Sequence, residues 1–140
     1  MNKLKVIQLL PELNVGGVER GTTDFSKALV ENGHESIVIS NGGIYEKDII
    51  EHGGKHINLP IHKKSIFSLL LSKKLKSIYD QEKPDVIHIR SRMPAWINYH
   101  AFKKLNFKPL LISTFHGLYS TPIYSRVMSK VDHMIAISKT

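Results

Sequence analysis

The stretch NVGGVERGTT, residues 14–23, follows a short apolar run, KVIQLL (5–10), and begins a helical pattern that stops at Asn32-Gly33. A strand that passes through a glycine turn into a helix is typical of a doubly wound α/β sheet. Glycine lets backbone N–H groups approach an anion, and the helix N-terminus adds partial positive charge. This stretch therefore predicts a fold class and a place for a phosphate.

The rest of the chain repeats the same alternation of short apolar runs and longer helical patterns. The β-branched-rich runs predicted as strands are 5–10, 36–40, 56–60, 85–89, 110–115 and 134–138. Between the first two runs, Val18, Thr22, Phe25 and Leu29 predict the inward side of a helix that ends at Asn32-Gly33. Further helices are predicted over 65–82 (Ile66, Leu69, Leu70, Ile78 and Tyr79 inward), 94–105 and 122–131. This order predicts a Rossmann-like, mostly parallel sheet, with ligands at the carboxyl ends of its strands. No linker interrupts the chain, so we expect one domain over residues 1–140.

Composition narrows the class of protein. The chain has 140 residues, 41% of them apolar, and no cysteine, which excludes disulfides and thiolate metal sites. No apolar run approaches the length of a membrane span, and the N-terminus reads as a strand rather than a signal peptide. Net charge is +8, and residues 55–108 hold twelve Lys or Arg against three acidic residues. An anionic partner is therefore expected: a phosphorylated ligand, an acidic membrane surface or nucleic acid.

The glycine turn departs from two well-known phosphate loops. Thr22 stands where a P-loop has its lysine, and the pattern is G-G-x-x-x-G rather than G-x-G-x-x-G. No acidic residue follows the second strand, where SNGG stands instead. These departures disfavour nucleotide hydrolysis and dinucleotide chemistry. A tight turn that holds no ligand remains an alternative.

Two further strand ends carry reactive or anion-binding side chains. HIRSRMPAW (88–96) places Arg90, Ser91 and Arg92 just after the fourth strand, where two arginines could grip a phosphate or carboxylate. STFHGLY (113–119) places His116 at the end of the fifth. A solvated loop and a structural histidine are the alternatives. No H-E-x-x-H or D-x-D pattern occurs, so we expect no metal site.

Four motifs in this order resemble the N-terminal half of the family 4 glycosyltransferases, which have the GT-B fold. They are GGVER, HIRSRMPAW, TFHGLY and DHMIAIS, and the resemblance covers essentially the whole chain. Among these enzymes, it is nearest to the bacterial type that builds lipopolysaccharide cores and capsules. The resemblance implies a retaining transfer of sugar from a nucleoside diphosphate sugar to a hydroxyl, without a bound cofactor or metal.

The resemblance also implies roles for individual residues. Gly16, Gly17 and Val18 match the loop that approaches the donor diphosphate. His116 matches the histidine that positions the donor sugar and stabilises the transition state, and is the expected catalytic residue. The residues expected to face a glycan or lipid-linked acceptor are Arg90, Ser91, Arg92, Gly117 and Tyr119.

The chain stops at IAISKT, where the family's N-terminal domain ends, and it contains no E-x7-E motif. We therefore expect an acceptor-side domain without its C-terminal donor-binding domain, a fragment inactive alone. A stand-alone nucleotide- or sugar-binding domain, or one half of a split enzyme, are the alternatives.

The basic middle of the chain suggests a location. The lysines at 63, 64, 73, 74 and 76 could dock on anionic lipid, which predicts a cytoplasmic protein peripheral to the inner face of the membrane. A solvated face with no partner is the alternative. Nucleic-acid binding is disfavoured because no aromatic residues are interleaved with the lysines and no recognition motif is present.

Overall fold

The computed structural model describes residues 3–61, 68–116 and 133–137. Its elements in chain order are β1 (Lys5–Leu9), α1 (Gly17–Glu31), β2 (Glu35–Ser40), α2 (Glu46–Glu51), β3 (Lys55–Asn58), α3 (Ser68–Glu82), β4 (Val86–Ile89), α4 (Arg92–Phe102), β5 (Leu110–His116) and β6 (His133–Ile137). Each strand overlaps a predicted one. The helix predicted over 122–131, and the first residues of the one predicted over 65–82, lie outside the described residues.

The six strands form one sheet in the order β3-β2-β1-β4-β5-β6, and every neighbouring pair is parallel. The predicted doubly wound, Rossmann-like fold is confirmed. The strand order reverses between β1 and β4, because the chain builds β2 and β3 on one side of β1 and then returns to the other. A crevice at the carboxyl ends of β1 and β4 follows from this topology.

One face of the sheet carries most of the apolar core. Ile7 lies opposite Ile87 and Leu9 opposite Ile89 in the β1–β4 register. These four residues join a buried cluster that also contains Leu75, Tyr79, Ala95, Ile97, Ala101 and Leu111 from α3, α4 and β5. β-Branched and leucine side chains fill this space well, and each buried isoleucine contributes about 1.5–3 kcal/mol.

The other face of the sheet packs against α1 and α2 and is more polar. Its apolar cluster contains only Leu10, Leu13, Val38 and Ile49 as fully buried members. The inward residues of α1 are Thr22, Thr23, Ser26 and Leu29. The prediction that Phe25 faces inward was wrong, since 39% of this residue is exposed. Small polar side chains suit this position because Ser26 bonds directly to Ser36 of β2 over 2.6 Å.

Several helix bounds differ from the predicted ones. α2 was not predicted, since only Ile49 of its six residues is buried and no periodic stripe can form. α4 begins at Arg92, two residues before the predicted start, and tolerates Pro94 because a proline in the first helical turn loses no intrahelical bond. In α3, Leu70 is exposed, contrary to the prediction, and Leu75 is buried in its place.

Candidate active site

Two loops meet where the strand order reverses. Residues 10–16 lead from β1 to α1, and Arg90 and Ser91 lead from β4 to α4. The backbone N–H of Arg90 donates to the carbonyl of Leu9 over 3.0 Å, which ties the two strand ends together. The glycine turn and the first arginine of HIRSR therefore border the same crevice.

The glycine turn begins α1. Gly16 is the N-cap residue, Gly17 is the first helical residue, and no side chain caps this end. The first N–H groups of a helix have no intrahelical partner and attract anions. A Cβ atom added to Gly17 would meet no atom within 4 Å. No contact within the described chain therefore requires a glycine at this position, and the turn is open to an approaching group.

The carboxylate of Glu19 folds back over the other glycine of the turn. A Cβ atom added to Gly16 would lie 2.6 Å from Oε2 of Glu19 and 2.8 Å from Oε1. Negative charge at a helix N-terminus is favourable. Glu19 therefore covers the turn at Gly16 and leaves Gly17 clear.

The loop after β2 supports the loop that carries the turn. The N–H of Leu13 donates to the carbonyl of Gly42 over 2.9 Å, and the N–H of Tyr45 donates to the carbonyl of Leu13 over 3.0 Å. Gly43 approaches so closely that an added Cβ atom would lie 2.5 Å from the carbonyl carbon of Leu13. The SNGG sequence contains no acidic residue that could bind a ribose. Its backbone instead supports the loop that carries the glycine turn.

Three side chains hold this supporting loop in place. The Ser40 hydroxyl accepts a hydrogen bond from the N–H of Gly42 over 2.9 Å and pairs with Nε2 of His56 over 2.8 Å. On its other side, Nδ1 of His56 lies 3.4 Å from Oε1 of Glu46. Burial lowers the pKa of His56, and the Glu46 carboxylate opposes this effect. Ser40, His56 and Glu46 thus form a continuous chain of side-chain contacts that supports the loop.

Arg90 is the cation of the crevice. Its Nε donates to Oε1 of Gln8 over 2.8 Å, and its guanidinium carbon lies 5.9 Å from the ring centre of Phe25. Burial lowers the pKa of Arg90 from 12.5 to about 10, so that it stays charged at neutral pH. It makes no salt bridge within the described residues. This arrangement offers a fixed positive charge to an anion.

A polar row crosses the sheet beside Arg90. Gln8 and His88 are register partners, so their side chains lie on the same face. Nε2 of His88 is hydrogen bonded to the hydroxyl of Thr114, and the ring meets Phe25 edge to face at 6.0 Å. His88 is buried, so it supports the crevice from below. Sequence analysis missed Gln8, although a glutamine inside the apolar run KVIQLL was a visible signal.

The structure brings some of the predicted site residues together. The turn residues Gly16, Gly17 and Val18 and the loop residues Arg90 and Ser91 lie at the carboxyl edge of β1 and β4. Ser91 is the N-cap residue of α4, and Arg92 is the first residue of that helix rather than part of a loop. The Ser91 side chain makes no capping hydrogen bond.

The remaining predicted residues lie on or after the neighbouring strand. His116 is the last residue of β5, three positions beyond Ser113, which pairs with Ile89 at the end of β4. The backbone of His116 therefore reaches the same edge of the sheet. Gly117 and Tyr119 lie outside the described residues, as do Lys63 and Lys64.

A separate cavity of about 480 Å³ opens at the opposite, amino-terminal edge of the sheet. Its lining includes Lys5, Lys55, Glu35 and Glu82. Lys5 and Lys55 both lie near Glu82, at 3.3 and 2.6 Å, and Lys5 also lies 3.6 Å from Glu35, so both lysines already have carboxylate partners. This cavity lies away from the crevice and plays no part in it.

The described part of the chain has neither a metal cluster nor a membrane-spanning helix. No cluster of three or more histidine or acidic side chains there could hold a metal ion. None of its helices has the length and apolar character needed to cross a membrane.

Comparison with known proteins places the chain in a family. The model of Glycosyltransferase Family 4 matches residues 15–140. A glycosyltransferase from Rickettsia africae superposes with a TM-score of 0.82 at 37% sequence identity, over 99% of this chain and 38% of that one. A search of curated proteins finds no match.

Two more distant structures share the fold. Sucrose-phosphate synthase from Thermosynechococcus elongatus gives a TM-score of 0.66 at 12% identity, over 93% of this chain and 41% of that one. The glycotransferase of kitacinnamycin gives 0.57 at 14% identity, over 92% of this chain and 35% of that one.

The fold and the family match together identify a domain of the glycosyltransferases that have the GT-B fold. The chain belongs to glycosyltransferase family 4. It spans 38% of the length of the Rickettsia structure.

Proposed function

We propose that this chain forms the acceptor side of a retaining glycosyltransferase that moves a sugar from a nucleoside diphosphate sugar to a hydroxyl. The observation that carries the proposal is the shared crevice. The open turn at Gly17, at the N-terminus of α1, borders it together with Arg90, whose charge has no ion-pair partner among the described residues. Family membership supports the same reaction class.

In this proposal the turn binds the donor diphosphate. Backbone N–H groups at Gly17 and Val18 would face the phosphate that leaves when the bond to the anomeric carbon breaks, and Gly16 lies beside them under the Glu19 carboxylate. Preorganised donors of this kind stabilise charge that develops in the transition state, and one such donor is commonly worth about 2.7–4 kcal/mol. His116 would lie at the donor sugar, because β5 ends at the same edge of the sheet.

The acceptor would occupy the neighbouring part of the crevice. Arg90 and Ser91 line it after β4, Arg92 begins α4 beside it, and Gly117 and Tyr119 follow His116 along the chain. We propose a glycan or lipid-linked acceptor, such as those used in lipopolysaccharide or other cell-surface glycan synthesis. No resident cofactor or metal is proposed, and the nucleotide sugar is a substrate.

The test is a hybrid enzyme. The chain replaces the matched 38% of the Rickettsia africae protein, and both the hybrid and the chain alone are incubated with a panel of nucleotide sugars. We expect the hybrid to release nucleoside diphosphate and the chain alone to release none. Retention is read from the anomeric configuration of the product by NMR.

Two results would contradict the proposal. Transfer by the purified chain alone would refute its role as one side of a larger site. A correctly folded hybrid that releases no nucleotide, while the parent Rickettsia protein does, would favour the second candidate. That candidate is a stand-alone nucleotide- or sugar-binding domain, or a split enzyme whose partner is a separate chain.

We also propose that the basic surface on α3 and after α4 docks on an anionic membrane from the cytoplasmic side. Lys73 and Lys74 are exposed, and so are Lys103 and Lys104 at the end of the adjacent helix. Lys76 is held by Asp80 at 2.6 Å and is less available. Lipid-linked acceptors lie at such a surface, which supports this location for the enzyme.

A further inference from the structure

We propose that Arg90 binds an acidic group, a phosphate or a carboxylate, on the acceptor, and that Gln8 positions it for this contact. The inference rests on the proposed function, which puts an acceptor in the crevice. It adds the chemical class of that acceptor and assigns a role to a residue buried inside β1.

The charge of Arg90 lacks a balancing anion among the described residues. Some other cations have carboxylate partners, for example Lys55 with Glu82, and others that have none, such as Lys73 and Lys74, are exposed to water. Arg90 has none in the described part of the chain, although it is half-buried. A cation removed from water without an ion partner is costly. An incoming acidic group would restore the balance.

Gln8 fixes the orientation of the guanidinium group. Gln8 is completely buried, its Oε1 accepts from Nε of Arg90, and its Nε2 donates to the carbonyl of Thr22 over 3.2 Å. Both ends of the amide are therefore occupied, which prevents it from rotating. Since Nε is already bonded, the two Nη atoms form the free edge. Neither Nη atom hydrogen bonds to a described residue. The two Nη atoms, held in one orientation, form a fork that matches two oxygens of a carboxylate or phosphate.

The surface of α1 leaves room beside this fork. Gly17 and Gly21 lie one helical turn apart on the same side of α1. A Cβ atom added to Gly21 would meet only Nη1 of Arg90, at 4.0 Å, and one added to Gly17 would meet nothing. Glycine within a helix is less favourable than alanine. Because no contact with the described residues requires these glycines, the space above them is suited to a bound molecule.

The position along α1 favours the acceptor over the donor. A diphosphate suits the helix N-terminus at Gly16 and Gly17, whereas Nη1 of Arg90 lies beside Gly21. Four residues of helix separate these points by about 6 Å. A donor phosphate held at the turn therefore leaves Arg90 for a group on the second substrate.

The test measures binding to the 140-residue chain by two-dimensional NMR. The probes are glucose 6-phosphate, glucuronate, neutral glucose and inorganic pyrophosphate. We expect the two acidic sugars to bind and glucose to bind much more weakly. Arg90→Gln should weaken acidic-sugar binding by roughly tenfold or more, since a hydrogen bond to a charged group contributes more than one between neutral groups. The control Arg20→Gln removes one charge from exposed α1 and should change binding less than about twofold.

Variants of Gln8 separate positioning from general damage to the fold. Gln8→Glu places a carboxylate against Arg90 and should weaken acidic-sugar binding as much as Arg90→Gln does. Adding Arg90→Gln to Gln8→Glu should then cause no further loss, because both act on the same contact. The NMR spectrum shows whether each variant folds. If Gln8→Glu does not fold, Arg90→Lys serves instead. It keeps the charge but lacks the fork and the Nε bond, and should give an intermediate loss.

Four outcomes would overturn the inference. For the wild-type chain, they are equal binding of glucose and the acidic sugars, or no binding of any acidic sugar. The third is an equal effect of Arg90→Gln and Arg20→Gln on acidic-sugar binding. The fourth is a loss of pyrophosphate binding in Arg90→Gln as large as the loss of acidic-sugar binding. The last would assign Arg90 to the donor. An inactive hybrid enzyme together with intact acidic-sugar binding would refute only the proposed function.

Discussion

At the scale of single residues, Gly43 in the loop after β2 and Gly17 in the turn at the start of α1 have different roles. Gly43 has a φ angle of +151° and touches the backbone at Leu13, so both conformation and space require the absence of a side chain. Gly17 has open space around it and no left-handed φ angle. A substitution at Gly43 should therefore affect folding, and one at Gly17 should affect ligands.

Gly17→Ala should leave stability unchanged or raise it by up to about 1 kcal/mol, because alanine has the higher helix propensity. The same change should reduce nucleotide-sugar turnover in the hybrid by tenfold or more, since the new methyl group covers the N–H groups of the turn. Thermal unfolding and nucleotide release measure the two effects. Full turnover in this variant would show that no phosphate approaches Gly17.

Gly43→Ala should destabilise the chain by about 1–3 kcal/mol, the usual cost of a side chain in a sparsely populated backbone region. The added carbon would lie within 3 Å of the Leu13 carbonyl, so the loop before α1 must shift. Urea unfolding gives the free energy. Gly17→Ala is the matched control, and equal stability of the two variants would contradict this account.

At the scale of elements, α3 and α4 are joined by buried polar contacts within an apolar cluster. The Ser72 hydroxyl of α3 donates to the carbonyl of Ile97 in α4 over 3.2 Å. The Tyr79 hydroxyl donates to Oδ1 of Asn98 over 2.6 Å, and both residues are buried. Burial also raises the pKa of Tyr79 well above its ordinary value. This hydroxyl therefore stays protonated and remains a donor over the whole working range of pH.

Tyr79→Phe should lower the free energy of unfolding by about 1–3 kcal/mol, because Asn98 loses its partner in a dry environment. Tyr45→Phe is the control, since the Tyr45 hydroxyl makes no hydrogen bond to a described residue and the residue is only half-buried. Denaturant unfolding compares the two. A Tyr79→Phe variant no less stable than Tyr45→Phe would refute the importance of the contact.

The loop between β2 and α2 should respond to pH through His56. Its pKa is lowered in the folded chain, chiefly by burial, so the unfolded chain binds a proton first as pH falls. The contribution of His56 to stability is therefore complete above the ordinary pKa of 6.5 and is lost below it. His52 and His100 shift in the same direction.

His56→Gln should flatten the decline in stability between pH 7.5 and 5.5, since glutamine does not titrate in this range. Urea unfolding at several pH values measures the slope. The residual slope should come from groups such as His52 and His100. A slope identical to that of the wild-type chain would show that His56 does not contribute.

At the scale of the whole molecule, the two faces of the sheet are unequal. The face that packs on α3 and α4 is continuous and apolar, whereas the face toward α1 carries Gln8, His88 and Arg90. The first face supplies most of the stability. The second gives the crevice a fixed charge without placing it in the main core.

The proposed membrane surface belongs to the α3–α4 side. Changing Lys73 and Lys74 together to Gln should weaken binding to anionic vesicles by roughly tenfold or more, as each lysine near such a surface contributes about 1 kcal/mol. Changing Lys27 and Lys47, on α1 and α2, removes the same charge from the other side and should have little effect. Vesicle sedimentation at low salt measures both. Equal recovery with neutral and anionic vesicles would refute the proposal.

Much of the architecture follows from the sequence alone. Six β-branched-rich runs, each overlapping an observed strand, predicted the parallel sheet, because side-chain periodicity is local information. The same reasoning located the turn at Gly16 and Gly17 and the end of α1 at Asn32-Gly33. It also placed Arg90 and His116 at strand ends, so their common edge could be predicted. Their roles in the reaction remain predictions.

Only the tertiary structure decided which side chains contact one another. Phe25 has the spacing of a core residue, yet it is 39% exposed and lies beside Arg90, because Gln8 and His88 make the adjacent sheet face polar. The loop at Gly42 and Gly43 supports the loop at Leu13, which is distant in sequence, and Gln8 accepts a hydrogen bond from Arg90, 82 positions away. Such contacts form between strands that the fold brings together. A periodic pattern records which side of an element is buried, but it carries no information about the atoms that bury it.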